Sequence, residues 1–431
     1  AGELAAGVLV GPHLFGGVAL PGLPDGLMPG VPEILGGGHP LFGVVLVSLA
    51  VLLFQLGLDT DIGLIRRYKA ASLSVGILGS AASFAAICAV TVAASPWLFG
   101  GGRTLAWYEP GPFFAAVAAG VTSVGILSRM LADTRRLETP EGVVALSGAV
   151  TDGVVGMLLL AVGAGLVETV AAGHPVSPRT VAAGAARAVL TAGALAVLGL
   201  AVARKMARLV LQERRRDGVF VGTAACVLVA AGVTGACGQS PLLGAYVMGV
   251  VFSTTDLRHR IQERIEFVHE ALVPACFALV GTHVDLNLLT DARAVLFVAA
   301  FVAVALFAKL AACGLAARAA GLTAVGGLRV GIVSMPRGEV TLALTLLALA
   351  AGVLPGPLLA AAAVLLAVSG MLLPKLAESV FCCGGPGSRK GFAAVEQVRL
   401  AFSLATADGA RLVVRRVTEV LPGIEKAPFI E

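Results

Sequence analysis

Apolar runs of about twenty residues, the length that crosses a ~30 Å hydrocarbon core as a helix, recur along nearly the whole chain. Short polar stretches separate them. The pattern predicts helical spans near 1–12, 41–58, 71–95, 112–131, 141–167, 179–205, 218–236, 240–254, 268–283, 293–318, 325–351 and 357–380. That makes twelve, the first incomplete. The spans do not alternate apolar and polar positions, which excludes an outer-membrane barrel. The expected class is an all-α polytopic membrane protein. The opening "AGELAAGVLVGPHLFGG" lacks the basic start and full apolar core of a signal peptide. It reads as the second half of a membrane helix ending at Gly11-Pro12. Residues 1–383 are expected to form the transmembrane domain, and 384–431 a short extramembranous tail.

Polar residues interrupt this pattern at few places. Asp152 stands near the middle of "SGAVTDGVVGMLLL", at the depth where a carboxylate costs most. Ionisable residues inside spans mark pathways for ions or protons by default, and this carboxylate can hold either a proton or a small cation. Thr151, Thr122 and Ser123 offer hydroxyl oxygens, which a dehydrated alkali cation needs in place of its water. Such hydroxyls otherwise bond their own helix backbone. Lys309, in "VALFAKLAACG", is too deep to reach the interface easily and is expected to face a carboxylate or a cavity.

Two spans carry polar breaks at comparable depth. One is "AAGVTSVGILSRM", with Thr122 and Ser123; the other is "GIVSMPRGEVTLAL", with Ser334, Pro336, Arg337, Gly338 and Glu339. Proline removes a backbone donor and glycine weakens a helix, so the second break has a physical cause. Counting spans gives the two breaks opposite directions across the membrane. Discontinuous helices of opposite direction mark an inverted-repeat transporter with its ion site at the repeat interface. Arg337 and Glu339 flank Gly338 and are expected either to form an ion pair that offsets burial or to line the ion path. Arg187 is expected to snorkel outward, and His283 and Asp285 to sit at a helix end.

Composition narrows the class further. Charged residues make up 13% of the chain, about half the soluble share. Mean hydropathy is +0.94. HExxH, GxSxG and Walker A patterns are all missing from the sequence, so no enzyme and no cofactor are expected. The seven cysteines show no metal spacing, and adjacent Cys382 and Cys383 read as small apolar residues near an interface. The net charge of +5 implies no nucleic-acid partner, because loop arginines account for it. Arg66, Arg67, Lys69, Arg129, Arg135, Arg136, Arg204, Lys205, Arg208, Arg214, Arg215, Arg216, Arg258, Arg260, Arg264 and Arg318 fall on one side, with Arg389 and Lys390 of the tail. Only Arg103, Arg179 and Arg293 fall on the other. The positive-inside rule makes the first side, and the tail, cytoplasmic.

Read together, these stretches resemble the monovalent cation/proton antiporter superfamily, nearest the branch of bacterial sodium/proton exchangers and potassium efflux antiporters. "ELAAGVLVGPHLFG", "LLFQLGLDTDIGLIRR", "GVTSVGILSRML", "LSGAVTDGVVGMLLLA", "GAYVMGVVFS", "VPACFALVGTHVDL" and "PRGEVTLAL" are similar to family blocks and occur in the family's order, over about 1–380. The resemblance implies a core of six helices beside a dimerisation domain, usually thirteen spans, and a second copy of the chain as partner: a homodimer in an inner or plasma membrane. It implies Asp152 as the essential acid and Lys309 as the basic residue near it. The implied function is exchange of sodium or potassium for a proton by alternating access. Relatives that move net charge carry two adjacent acids; here Thr151 takes the first position, which implies electroneutral exchange and leaves Lys309 without its usual partner. A sodium-coupled organic-anion symporter, a cation channel and a membrane sensor remain as alternatives.

Overall fold

The computed structural model describes residues 2–12, 15, 40–63, 69–99, 104–212 and 216–382. The tail expected at 384–431, Cys383 and the loop charges at Arg66, Arg67, Arg103, Arg214 and Arg215 lie outside the described residues. The helices are α1 Gly2–Val10, α2 Pro40–Asp59, α3 Lys69–Leu98, α4 Pro110–Gly120, α5 Val124–Asp133, α6 Pro140–Ala171, α7 Pro178–Gln212 and α8 Arg216–Ala236. There follow α9 Pro241–Ser253, α10 Arg258–Thr282, α11 Ala292–Ala319, α12 Ala324–Val333, α13 Glu339–Ala350 and α14 Gly356–Cys382. Among the described residues, eight helical segments are long and apolar enough to cross a membrane, and α4 with α5 counts as one of them.

Local sequence explains where these helices begin. Proline occupies the first turn of α4, α6 and α9, where its missing N–H costs nothing. Thr139, Ser240, Thr323 and Asp291 cap α6, α9, α12 and α11 by accepting a backbone N–H from the first turn. One boundary differs clearly from the expected pattern. The span expected at 268–283 begins ten residues earlier, at Arg258. Its charged first third escapes a search for continuous apolar length. Yet Ile261 and Ile265, one turn apart, are both buried, so this stretch is an amphipathic extension of the helix.

The helices sort into two groups. In the first, a long helix, a broken helix and a long helix occur twice in the same order: α3, α4–α5, α6 and then α11, α12–α13, α14. Helix α3 packs along α11 and α6, while α11 packs along α12 and α14. In the second group, α2 packs on α9 and α10, α1 on α10, and α9 on α7 and α8. Glycine permits the closest of these approaches. A Cβ on Gly57 of α2 would collide with the Tyr246 carbonyl of α9, and one on Gly249 of α9 with the Phe54 carbonyl of α2.

Candidate functional site

The two broken helices meet at their breaks. Helix α4 ends at Gly120 and α5 starts after Ser123; α12 ends at Val333 and α13 starts at Glu339. The exposed backbone of each break is satisfied largely by the other. The Ser123 amide donates to the Pro336 carbonyl at 2.9 Å. Thr122 Oγ1 donates to the Ser334 carbonyl at 2.9 Å, and Thr341 Oγ1 to the Ala118 carbonyl at 2.7 Å. Non-helical backbone is tolerable at membrane depth only where protein satisfies it in this way.

A crossing of this kind gathers four helix ends, two carrying partial negative charge and two partial positive. Arg337 and Glu339 divide between these poles, and no ion pair joins them among the described residues. Of the two arrangements the sequence left open, the ion pair is therefore not the one formed. Arg337 is fully buried and turns to the carbonyl ends. Its Nε donates to Ala119 at 2.6 Å, its Nη1 to Met335 at 2.9 Å and Ser334 at 3.3 Å, and its Nη2 to Ala305 at 3.3 Å. Its backbone amide donates to Ser369 Oγ of α14 at 2.8 Å. Glu339 stands in the first turn of α13 and accepts from Ser123 Oγ, the N-cap of α5, at 2.6 Å. Its charge therefore faces the two positive ends. The side chains point apart because the crossing presents opposite poles on its two sides.

Asp152 reaches this crossing from the middle of α6 and is 1% exposed. Its Oδ2 accepts the Thr122 amide at 2.6 Å and the Lys309 ammonium at 2.8 Å. Its Oδ1 accepts the hydroxyl of Ser80 on α3. Lys309, also 1% exposed, donates in addition to the Gly120 carbonyl at 2.9 Å. The basic residue thus has two partners, the acid and the free carbonyl end of α4. Each buried ion costs several kcal/mol in lost hydration, and the pair is tolerable only because both members find further hydrogen bonds.

The other expected site residues divide. Thr122 touches Asp152 through its amide rather than its hydroxyl, and Ser123 touches Glu339. The hydroxyl of Thr151 is engaged with Ser72 Oγ at 2.6 Å and the Ser147 carbonyl at 3.0 Å, on the side facing α3. His283 and Asp285 cap helix ends as expected, and Arg187 is exposed.

Two features carry no signal in a search for single mid-span charges. Ser80 looks like any small residue of a membrane helix. Its spacing from Ser72 and Gly76, four residues at each step, is the legible sign that these residues share one face of α3. Glu141 and Arg329 form a buried ion pair at 3.0 Å between α6 and α12, with Arg136 at 3.8 Å from the same carboxylate oxygen. The guanidinium groups of Arg136 and Arg329 both lie over the Phe381 ring. Charges at span ends look interfacial in sequence, and only the fold buries these two.

Comparison with known proteins bears on the whole assembly. The pattern of the sodium/hydrogen exchanger transmembrane family matches residues 1–378. The chain is 26% identical to a potassium/proton antiporter of Saccharomyces cerevisiae, over 88% of this chain and 43% of the yeast protein. It therefore spans less than half the length of that relative. It is 26% identical to a high-affinity sodium/proton antiporter of Synechocystis, covering 78% of this chain and 70% of that one. It is 22% identical to a sodium/proton–potassium antiporter of Bacillus cereus, covering 88% and 89%. The fold is similar to that of a sodium/proton antiporter from Methanocaldococcus jannaschii, with a TM-score of 0.63 over 88% of this chain and 91% of that one, at 14% identity.

Proposed function

Because the chain belongs to the sodium/hydrogen exchanger family of membrane transporters, we propose that it exchanges a monovalent cation, sodium or potassium, for a proton at Asp152. It is a multi-pass membrane protein and not an enzyme. One observation carries the assignment of the site. The Lys309 ammonium sits against Asp152 Oδ2 at 2.8 Å and the Gly120 carbonyl at 2.9 Å. That is a cation in an oxygen-lined, water-excluded position, which a dehydrated alkali ion could occupy instead. When the alkali ion enters, the Lys309 ammonium releases its proton and withdraws as the neutral amine. When the ion leaves, a proton taken up from the opposite side restores the ammonium and its pair with Asp152. Alternating access follows if the group of α3–α6 and α11–α14 moves against α1, α2 and α7–α10, carrying the crossing with it. The second group is the proposed dimer surface. The distribution of loop arginines along the sequence supports a cytoplasmic C-terminal side in an inner or plasma membrane.

The stoichiometry follows from charge. Position 151 holds threonine, so Asp152 and Lys309 form the titrating pair, and one proton leaves the pair for each cation that enters. The loaded site then has the same charge in both transits, and exchange is electroneutral. Two protons per cation, one from each partner, would move one charge and couple to voltage at ~2.3 kcal/mol per 100 mV. Vesicles clamped with potassium and valinomycin test this. Sodium-driven proton movement, with a protonophore control, is expected to reverse at the same ion gradient at every imposed potential. A reversal point that shifts with voltage overturns the one-for-one count.

A further inference from the structure

Ser83 of α3 is fully buried, and its Oγ has no hydrogen-bond partner among the described residues. The other buried hydroxyls of this helix are engaged. Ser72 bonds the Ser147 carbonyl and Thr151, and Ser80 bonds the Gly76 carbonyl and Asp152. Thr91 bonds the Ile87 carbonyl and Ser95 the Val92 carbonyl. A hydroxyl left unpaired away from water is destabilising, because its lost hydration is not replaced. A helix ordinarily relieves that cost by offering the carbonyl three or four residues back, as it does for Ser80, Thr91 and Ser95. Ser83 does not take that bond.

Its surroundings indicate what the oxygen is for. Ser83 follows Ser80 by three residues, so both stand on one face of α3, a turn apart. Ser80 reaches Asp152 Oδ1. On its other side Ser83 abuts the end of α4: a methyl group built on Gly120 would lie 3.9 Å from Ser83 Cβ. The Gly120 carbonyl is the one that accepts the Lys309 ammonium. Ser83 thus stands one turn along α3 from the hydroxyl that holds the acid, and beside the end of the helix whose carbonyl holds the lysine.

We infer that Ser83, together with Ser80, forms the α3 wall of the cation site and lends its free hydroxyl oxygen to the transported cation when Lys309 withdraws. The inference rests on the reading of Asp152 as the exchange site. An alkali ion stripped of water needs several oxygens. Asp152 and the Gly120 carbonyl supply part of such a shell, and the two serines extend it on the side that faces α3. The unpaired state of Ser83 is then the state of the site while the lysine occupies it. It makes Ser83 a determinant of cation affinity.

Ser83→Ala and Ser83→Cys, reconstituted in liposomes and driven with sodium chloride or potassium chloride, separate this role from a structural one. Alanine removes the oxygen, while cysteine keeps the volume but presents a soft sulfur that alkali ions bind poorly. In both variants the apparent KM for the driving cation is expected to rise about tenfold, the scale of one lost charge-assisted contact. The maximal rate should change little, and the melting temperature in detergent should not fall. The cysteine variant carries the test if the alanine variant does not fold. An unchanged KM in folded variants, with or without a lowered melting temperature, overturns the proposal and leaves Asp152 in place. Wild-type vesicles that exchange neither cation overturn the functional reading and this proposal together, a distinct failure.

Discussion

Asp152→Asn is expected to lower cation-driven proton exchange by about two orders of magnitude or more, the usual scale for losing an essential proton-transfer group. Asparagine has nearly the same size, so the contacts of α6 with α3 and α4 survive. It has one acceptor oxygen where aspartate has two, and three donors converge there: Ser80, the Thr122 amide and Lys309. The amide cannot take up a proton in exchange for a cation, nor neutralise the cation it would carry. The measurement is the pH change inside proteoliposomes on adding sodium or potassium chloride, normalised to folded protein. Wild-type rates in the variant would sink the assignment of Asp152.

Lys309→Met is expected to cost stability as well as transport. Methionine fills much of the same path through α11 but removes the ammonium. A carboxylate 1% exposed to solvent then keeps two neutral hydrogen-bond donors and no ion-pair partner in contact. Removing one member of a buried pair typically costs about 3–5 kcal/mol. The loss should appear as a lowered melting temperature in detergent. It should be partly restored by sodium or potassium chloride and not by choline chloride, because a cation that binds the folded site replaces the missing charge by mass action. An unchanged melting temperature, or equal rescue by all three salts, would contradict the pairing.

Much of this site is legible along the chain, for a physical reason. A carboxylate or an ammonium in the middle of an apolar run is costly, so Asp152 and Lys309 stand out without any structure. The proline and glycines around Arg337 announce a broken helix in the same way. Pairing is less legible. Asp152 and Lys309 lie 157 residues apart in sequence. In sequence the threonine at 151 leaves the lysine without its usual partner, yet in the fold it meets Asp152 directly. Arg337 and Glu339 invite the opposite error. Their closeness in sequence suggests an ion pair, but the crossing puts carbonyl ends beside one and amide ends beside the other. The field of four helix termini is a property of the assembled breaks. Glu141 and Arg329 were hidden by their place near span ends, where burial depends wholly on what packs over them. Ser83 is hidden for another reason: serine is unremarkable in a membrane helix, and only the tally of hydrogen bonds separates it from its neighbours.

The central claim is that one seat at Asp152 serves proton and cation in turn. Its most direct test is the apparent KM for the driving cation as a function of pH in proteoliposomes. If the two compete for one site, KM climbs about tenfold for each unit of pH lost on the acidic side while the maximal rate holds, because each unit multiplies the competing proton tenfold. A KM that stays flat while the maximal rate falls would mean that protons act elsewhere, and would contradict the shared seat.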